Sequence, residues 1–109
     1  MTRHVDSQCR AFQTAIELLA RPWTAVILNA LHGGALRFSE FAERAPGLGD
    51  KVLSARLKEL EARGVLVRQV DPGPPVRVSY ELTARGHAFN EVAVSIERWG
   101  QELVAAEGP

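Results

Sequence analysis

The chain has 109 residues, which gives one small domain with a single modest core. Hydrophobic residues make up 46% of it and charged residues 24%. This composition is typical of globular proteins and excludes an intrinsically disordered chain. With one cysteine, no internal disulfide can form, which excludes a disulfide-stapled secreted module. The sequence predicts neither a signal peptide nor a membrane span, so we expect a cytoplasmic protein without a membrane partner.

Charge is distributed unevenly along the chain, although 13 basic and 13 acidic residues make the formal net charge zero. Residues 37–85 carry nine basic and seven acidic residues, whereas residues 86–109 carry Arg98 and four glutamates. The middle is therefore mildly basic and the C-terminal part acidic. This pattern is compatible with a nucleic-acid partner, because the distribution of charge matters more than its sum.

Two amphipathic helices are predicted in the N-terminal third. Apolar residues from Phe12 to Leu19 recur at spacings of 3, 4 and 7, which predicts a first helix over about residues 10–20. Pro22 either ends this helix or occupies the first position of the next one. The pair Gly33-Gly34 ends the second helix.

A helix-turn-helix is predicted after a short extended piece at residues 36–38. Ser39 is the predicted N-cap of a short third helix, about residues 39–45. After a Pro- and Gly-containing turn, Asp50 is the predicted N-cap of a fourth helix over about residues 50–63. Gly64 closes that helix.

A β-hairpin and a last helix follow, since the hydrophobic period changes from 3.6 to 2 after the fourth helix. The hairpin, about residues 65–82, contains a loop with three prolines that no helix could cross. Thr83 is the predicted cap of a helix over about residues 84–104. This order of elements predicts a mostly helical α+β fold, the winged helix-turn-helix, as a single DNA-binding domain over residues 1–109.

The fourth helix has the properties of a DNA recognition helix. Leu53, Leu57 and Leu60 share one face when residues are placed 100° apart. The outward face carries the candidate DNA contacts, which are Lys51, Ser54, Ala55 and Lys58. Lysines bind phosphates or guanine, and small residues allow close approach to the bases. The alternative is that the lysines only form a solvent-exposed charged face without a DNA contact. The β-hairpin that follows this helix favours the DNA-binding role.

Arg77 is the candidate DNA contact in the wing. It alternates with Val76, Val78 and Tyr80 and therefore faces away from them. In a winged helix, such a residue can enter the minor groove or contact the DNA backbone. The alternative is a cross-strand pair with an acidic residue such as Glu81.

The last helix carries a heptad pattern typical of a dimer contact. Its apolar residues, at spacings of 3, 4, 3 and 4, are Phe89, Val92, Ile96, Trp99 and Leu103. Phe12 and Ile16 give the first helix an apolar face that must also be buried away from solvent. We therefore expect a homodimer built from the first and last helices. Its two-fold axis would place two recognition helices on successive major grooves of a pseudo-palindromic operator. The alternative is that both helices pack on their own domain.

No catalytic or metal site is predicted. The three histidines lie far apart in sequence, and no pair has the spacing of a zinc site. No nucleophile, base and orienting group can be assembled from the motifs, so we expect neither an enzyme nor a bound cofactor.

Several short stretches together carry a family resemblance. They are Cys9, residues 19–28 (LARPWTAVIL), residues 37–41 (RFSEF), residues 53–61 (LSARLKELE), residues 64–66 (GVL), residues 74–83 (PPVRVSYELT) and Gly86. In this order they resemble the HxlR-type transcriptional regulators, winged helix-turn-helix proteins related to the MarR group. The resemblance implies a dimeric, DNA-binding regulator, often of stress or detoxification genes, with Cys9 as the sensing cysteine. Family members often carry serine and glutamine where this chain has Gly49 and Asp50.

The sequence around Cys9 also indicates a reactive thiol. It precedes a predicted helix start and is followed by Arg10, surroundings that favour the reactive thiolate. An oxidant or a small electrophile would then modify it. The alternative is a thiol packed as a small hydrophobe at the dimer interface.

We therefore expect a homodimeric, sequence-specific regulator of transcription that binds double-stranded DNA, acts as a repressor and is switched by thiol modification of Cys9. The alternative is a winged-helix module for protein–protein interaction without DNA binding, which the zero net charge and Asp50 leave open. The two differ in salt dependence, since each phosphate contact steepens the slope of log affinity against log salt by about 0.9.

Overall fold

The computed structural model describes residues 7–108. Its elements are α1 (Ser7–Ala20), α2 (Thr24–Leu31), β1 (Leu36–Arg37), α3 (Phe38–Arg44), α4 (Asp50–Ala62), β2 (Leu66–Asp71), β3 (Arg77–Leu82), α5 (Ala84–His87) and α6 (Phe89–Ala106). The strands form one antiparallel sheet in the order β1-β3-β2. Helices α3 and α4 form the helix-turn-helix, and β2 with β3 forms the wing, so the predicted winged helix-turn-helix is confirmed.

The hydrophobic core lies between α2, α3, α4 and the sheet. The predicted leucine face of α4 is confirmed, since Leu53, Leu57 and Leu60 are each at most 2% exposed. Phe41 of α3 is fully buried, and its ring meets that of Tyr80 of β3 edge to face at a centroid distance of 6.3 Å. Burying each such side chain stabilises the fold by about 1.5–3 kcal/mol. The leucines hold α4 on the core, and the Phe41–Tyr80 contact holds α3 on β3.

Helix α3 begins earlier than predicted. Arg37 is its N-cap, and the backbone N–H of Arg37 donates to Oε1 of Glu40 at 2.7 Å. Glu40 is the third residue of the helix, where a glutamate reaches back to the N-cap backbone. The predicted N-cap role of Ser39 is therefore wrong.

The start of α4 also differs from the prediction. Gly49 is the N-cap, because its extended backbone places its carbonyl to accept the N–H of Leu53 at 3.0 Å. Asp50 is the first helical residue, so its predicted role as N-cap is wrong. Its carboxylate still lies in the first turn, where negative charge is favourable next to the helix dipole.

Pro22 separates α1 from α2 and does not open the second helix. The N-cap of α2 is Trp23, whose left-handed backbone (φ 72°) turns the chain, and its carbonyl accepts the N–H of Ile27 at 2.9 Å. The helix then begins at Thr24. The indole of Trp23 lies 3.6 Å from the position that a Cβ would take at Gly47, in the turn between α3 and α4.

The predicted cap at Thr83 is confirmed, because its Oγ1 accepts the N–H of Gly86 at 3.2 Å. The single helix predicted after it is wrong. The chain forms the short α5 and then the long α6, divided at Ala88. The N–H of Ala88 is shared between the carbonyls of Ala84 and Gly86, which tightens the turn there.

Within residues 7–108, no helix is long and apolar enough to span a membrane.

Candidate nucleic-acid interface

The candidate DNA contacts of α4 lie together on the face opposite its three buried leucines. Lys51, Ala55 and Lys58 are exposed, and Ser54 is half-buried. Successive turns of the helix bring these side chains into one row. The row combines two positive charges with two small side chains, a composition that suits close approach to a major groove.

The wing places Arg77 at its outer end. Arg77 is exposed and lies opposite Asp71 in the register of β2 and β3. Glu81 lies opposite Val67, and within residues 7–108 Arg77 forms no ion pair. The alternative of a cross-strand ion pair, with Glu81 or with the directly opposite Asp71, is therefore not found among these residues. Arg77 alternates with half-buried Val78 and so lies on the other face of β3.

The wing loop is fixed by local backbone contacts. The N–H of Gly73 donates to Oδ1 of Asp71 at 3.1 Å. Gly73 has a left-handed φ of 70°, and a Cβ there would lie 2.1 Å from the carbonyl oxygen of Pro75. Only glycine fits this turn. The loop thus holds the ends of β2 and β3, and with them Arg77, in a defined place.

Arg68 of β2 is a basic side chain that was not predicted from the sequence. It lies opposite Tyr80 in the register and two residues after buried Leu66, so it is on the sheet face against which the helices pack. Arg68 itself is exposed, because it lies beyond the edge of the core. The available signal was its position two residues after Leu66, which puts its positive charge on the same side of the sheet as α4.

The middle of α4 is joined to the junction between α1 and α2. Nε of Arg56 donates to the carbonyl oxygen of Pro22 at 2.8 Å, and Nη1 of Arg56 lies 3.4 Å from Oε2 of Glu59. The same Glu59 oxygen accepts from Nη2 of Arg21 at 2.8 Å. We call these four groups, Arg21, the Pro22 carbonyl, Arg56 and Glu59, the hinge network. It lies on a third face of α4, beside the leucine face.

Most of the predicted dimer residues are exposed in the single chain. The exposed fractions are 71% for Phe12, 47% for Ile16, 44% for Val92, 46% for Ile96, 63% for Trp99 and 48% for Leu103. Phe89 is half-buried and packs against the core of its own domain. None of the residues of α6, all of which the structure describes, is buried. The chain alone therefore leaves a long apolar row in solvent.

Cys9 is exposed and lies in the first turn of α1. The helix begins at Ser7, so the prediction that Cys9 precedes the helix start is wrong. Phe12 and Ile16, one and two turns further along, line the same shallow depression as Cys9. The structure thus brings the predicted sensing residue and two predicted dimer residues onto one face of one helix.

Comparisons with known proteins identify the family of the chain. A family model described as HxlR-like helix-turn-helix matches residues 18–107. The uncharacterized HTH-type transcriptional regulator YvaP of Bacillus subtilis (strain 168) is 42% identical over 99 residues, which cover 91% of this chain and 92% of YvaP. The HTH-type transcriptional regulator YodB of the same strain is 36% identical over 98 residues, covering 90% and 88%.

Solved structures show the same fold. The reduced form of YodB from B. subtilis matches with a TM-score of 0.81 at 34% identity and covers 94% of each chain. Its quinone-bound form matches at 0.75 with 34% identity, covering 84% and 96%. The reduced form of the redox regulator HypR matches at 0.77 with 26% identity, covering 84% and 91%. The chain belongs to the HxlR-like helix-turn-helix family of DNA-binding transcriptional regulators.

Proposed function

We propose that the chain is a homodimeric repressor that binds a pseudo-palindromic operator in double-stranded DNA and leaves it when Cys9 is modified. The observation that carries the DNA-binding part is the exposed row of α4, held beside a wing that carries Arg68 and Arg77. Lys51 and Lys58 neutralise phosphates or donate to guanine, Ser54 bonds to either, and Ala55 approaches a base edge. Arg77 enters the minor groove or contacts the DNA backbone next to the site of α4.

The dimer is supported by the apolar row on α1 and α6. Six large side chains that are between 44% and 71% exposed are unusual for a monomer of this size. A second copy of the chain covers them with the same row, as two-fold symmetry requires. The acidic C-terminal helix lies at the dimer interface and carries its glutamates away from the DNA.

The repressor role in this proposal rests on a steric argument. Residues 7–108 supply a helix-turn-helix, a wing and the two candidate dimer helices. A dimer of such units acts on transcription by occupying its operator and excluding polymerase from an overlapping promoter. The gene for the regulator itself is the first place to look for such a site.

The switch is supported by the position of Cys9 and by the quinone-bound structure of the similar regulator YodB. Addition to a quinone is the chemistry that fits one exposed thiol beside an aromatic and an aliphatic side chain. The thiolate sulfur bonds to a ring carbon, and the ring takes up the electron pair and the proton to become a thioether-substituted hydroquinone. No further oxidant is needed. The bulky adduct lies on the face that α1 needs for the dimer.

Fluorescence anisotropy with the duplex that flanks the protein's own gene tests the DNA-binding part. A scrambled duplex of equal length serves as the control, and both are titrated across a range of salt concentrations. We expect tighter binding to the native duplex, with a slope of log affinity against log salt that steepens by about 0.9 for each phosphate contact. Weak binding, equal for both duplexes and independent of salt, would instead favour a module for protein–protein interaction.

A further inference from the structure

The hinge network joins two parts of the chain that the proposed function uses for different purposes. Arg21 and Pro22 follow α1, which carries Phe12 and Ile16 of the candidate dimer face. Arg56 and Glu59 belong to α4, which carries the candidate DNA contacts. The bonds between them span 34 and 38 residues of sequence. They are therefore a tertiary connection and not local helix chemistry.

The geometry of the network is more restrictive than that of an ordinary surface ion pair. The side chain of Arg56 is only 11% exposed and uses two of its nitrogens at once, one on the Pro22 carbonyl and one on Glu59. A planar guanidinium holds such partners in fixed directions. Glu59 in turn accepts from Arg21, so a single carboxylate is bound from both sides of the connection.

A second contact restrains the same junction. The indole of Trp23, the residue after Pro22, lies against the turn that contains Gly47 and precedes α4. The junction is thus attached near the start of α4 through Trp23 and at its middle through Arg56. A change in the angle between α1 and α4 at this junction would strain both attachments.

We propose that the hinge network sets the half-site spacing that the dimer accepts in its operator. This inference rests on the proposed function. In a dimer held through α1 and α6, the separation of the two recognition helices depends on the angle between α1 and α4 within each protomer. One base pair changes the separation of half-sites by about 3.4 Å, so a small tilt of α4 alters the preferred spacing. Arg56 and Glu59 are positioning residues, which act through α4 and not by contact with DNA.

The test is in vitro selection of duplexes from a random library by the full chain, followed by sequencing. The variants are Glu59→Gln, Arg21→Gln and Arg56→Met, which weaken the network at its shared carboxylate or from either side. Glu61→Gln is the matched control, because it removes an equal charge from the exposed surface of the same helix. Thermal unfolding of each variant is measured in parallel. If Arg56→Met fails to fold, Glu59→Gln and Arg21→Gln, at more exposed positions, still test the network.

For the wild type and Glu61→Gln, we expect selected duplexes with paired half-sites at one spacing. Affinity measured on the consensus should fall about tenfold or more when two base pairs are added between the half-sites. For the network variants, we expect the same half-site sequence with spacings spread over several base pairs, and a fall of less than about threefold on the same insertion.

The outcomes separate the two proposals. If the wild type prefers one spacing and the folded network variants keep the same preference, the inference is wrong while the proposed function stands. If the wild type binds paired half-sites at all spacings equally, the inference is again wrong. If the wild type selects no paired half-sites, the proposed dimeric function fails and the inference with it.

Discussion

The backbone of Gly86 lies directly against the carbonyl oxygen of Val65, so close that a Cβ on Gly86 would be 2.1 Å from that oxygen. The neighbouring Thr83 hydroxyl donates to the Gly64 carbonyl at 2.6 Å, which ties the start of α5 to the end of the helix-turn-helix. The long helix α6 leaves the domain from this point. Its direction is therefore set by a contact that has no space for a side chain.

Gly86→Ala should destabilise the fold, although alanine favours helices by about 1 kcal/mol over glycine. The clash with Val65 outweighs that gain, and we expect a net loss of about 3 kcal/mol, with a fall in Tm of roughly 10 °C or more. Thermal unfolding followed by circular dichroism measures it. Gly33→Ala is the control, because nothing lies within 4 Å of a Cβ at that position. An equal Tm for the two variants would contradict the close contact.

Replacing Lys51 and Lys58 together by alanine should weaken operator binding without loss of stability, since both side chains are exposed. If both bind phosphates, the salt slope should become shallower by about 1.8, twice the contribution of one contact. Anisotropy with the selected duplex at several salt concentrations gives both quantities. Arg98→Ala, which removes a positive charge from α6, should leave them unchanged. Unchanged affinity in the double variant would remove these lysines from the DNA interface.

Ile96→Glu should convert the dimer to a monomer, because it puts a charge in the centre of the apolar row. Val94→Glu is a closely matched control, since Val94 is 47% exposed and Ile96 46%, yet Val94 lies outside the heptad row. Light scattering coupled to size-exclusion chromatography measures the mass. We expect one protomer for Ile96→Glu and two for Val94→Glu. A dimer that survives Ile96→Glu would place the interface elsewhere.

Cys9→Ser should keep DNA binding and lose release by a benzoquinone. The chain has one cysteine, so any thiol adduct that intact-mass spectrometry detects in the wild type lies at Cys9. Anisotropy of the preformed complex, with and without the quinone, measures release. If the quinone still releases the serine variant, a group other than the thiol carries the response.

Local patterns predicted the fold well because its main elements are marked by local chemistry. The leucines of α4 recur at helical spacing, and the proline-rich loop can only be a connection between strands. Helix starts were less predictable. Ser39 is a better N-cap than Arg37 by residue type, but Glu40 reaches back to the earlier residue and moves the start. Residue type at one position does not contain that information.

In the candidate site, too, local sequence patterns predicted some features and missed others. The outward row of α4 follows from the helix period. The alternation of β2 gives the face of the strand on which Arg68 lies, but Arg68 was not predicted because the placement of that face relative to α4 depends on tertiary packing. The hinge network was also out of reach of local patterns. Its partners Arg56 and Pro22 are 34 residues apart, and nothing in the spacing of either segment indicates that they meet.

The indole of Trp23 against the turn at Gly47 gives the protein a built-in optical reporter. The chain has two tryptophans, and the other, Trp99, lies on α6. With phenylalanine at position 99, all indole emission would come from the joint between α2 and the helix-turn-helix. Its wavelength and quenching would then follow the docking of α4 in real time, without a dye, during stopped-flow mixing with DNA or with a quinone.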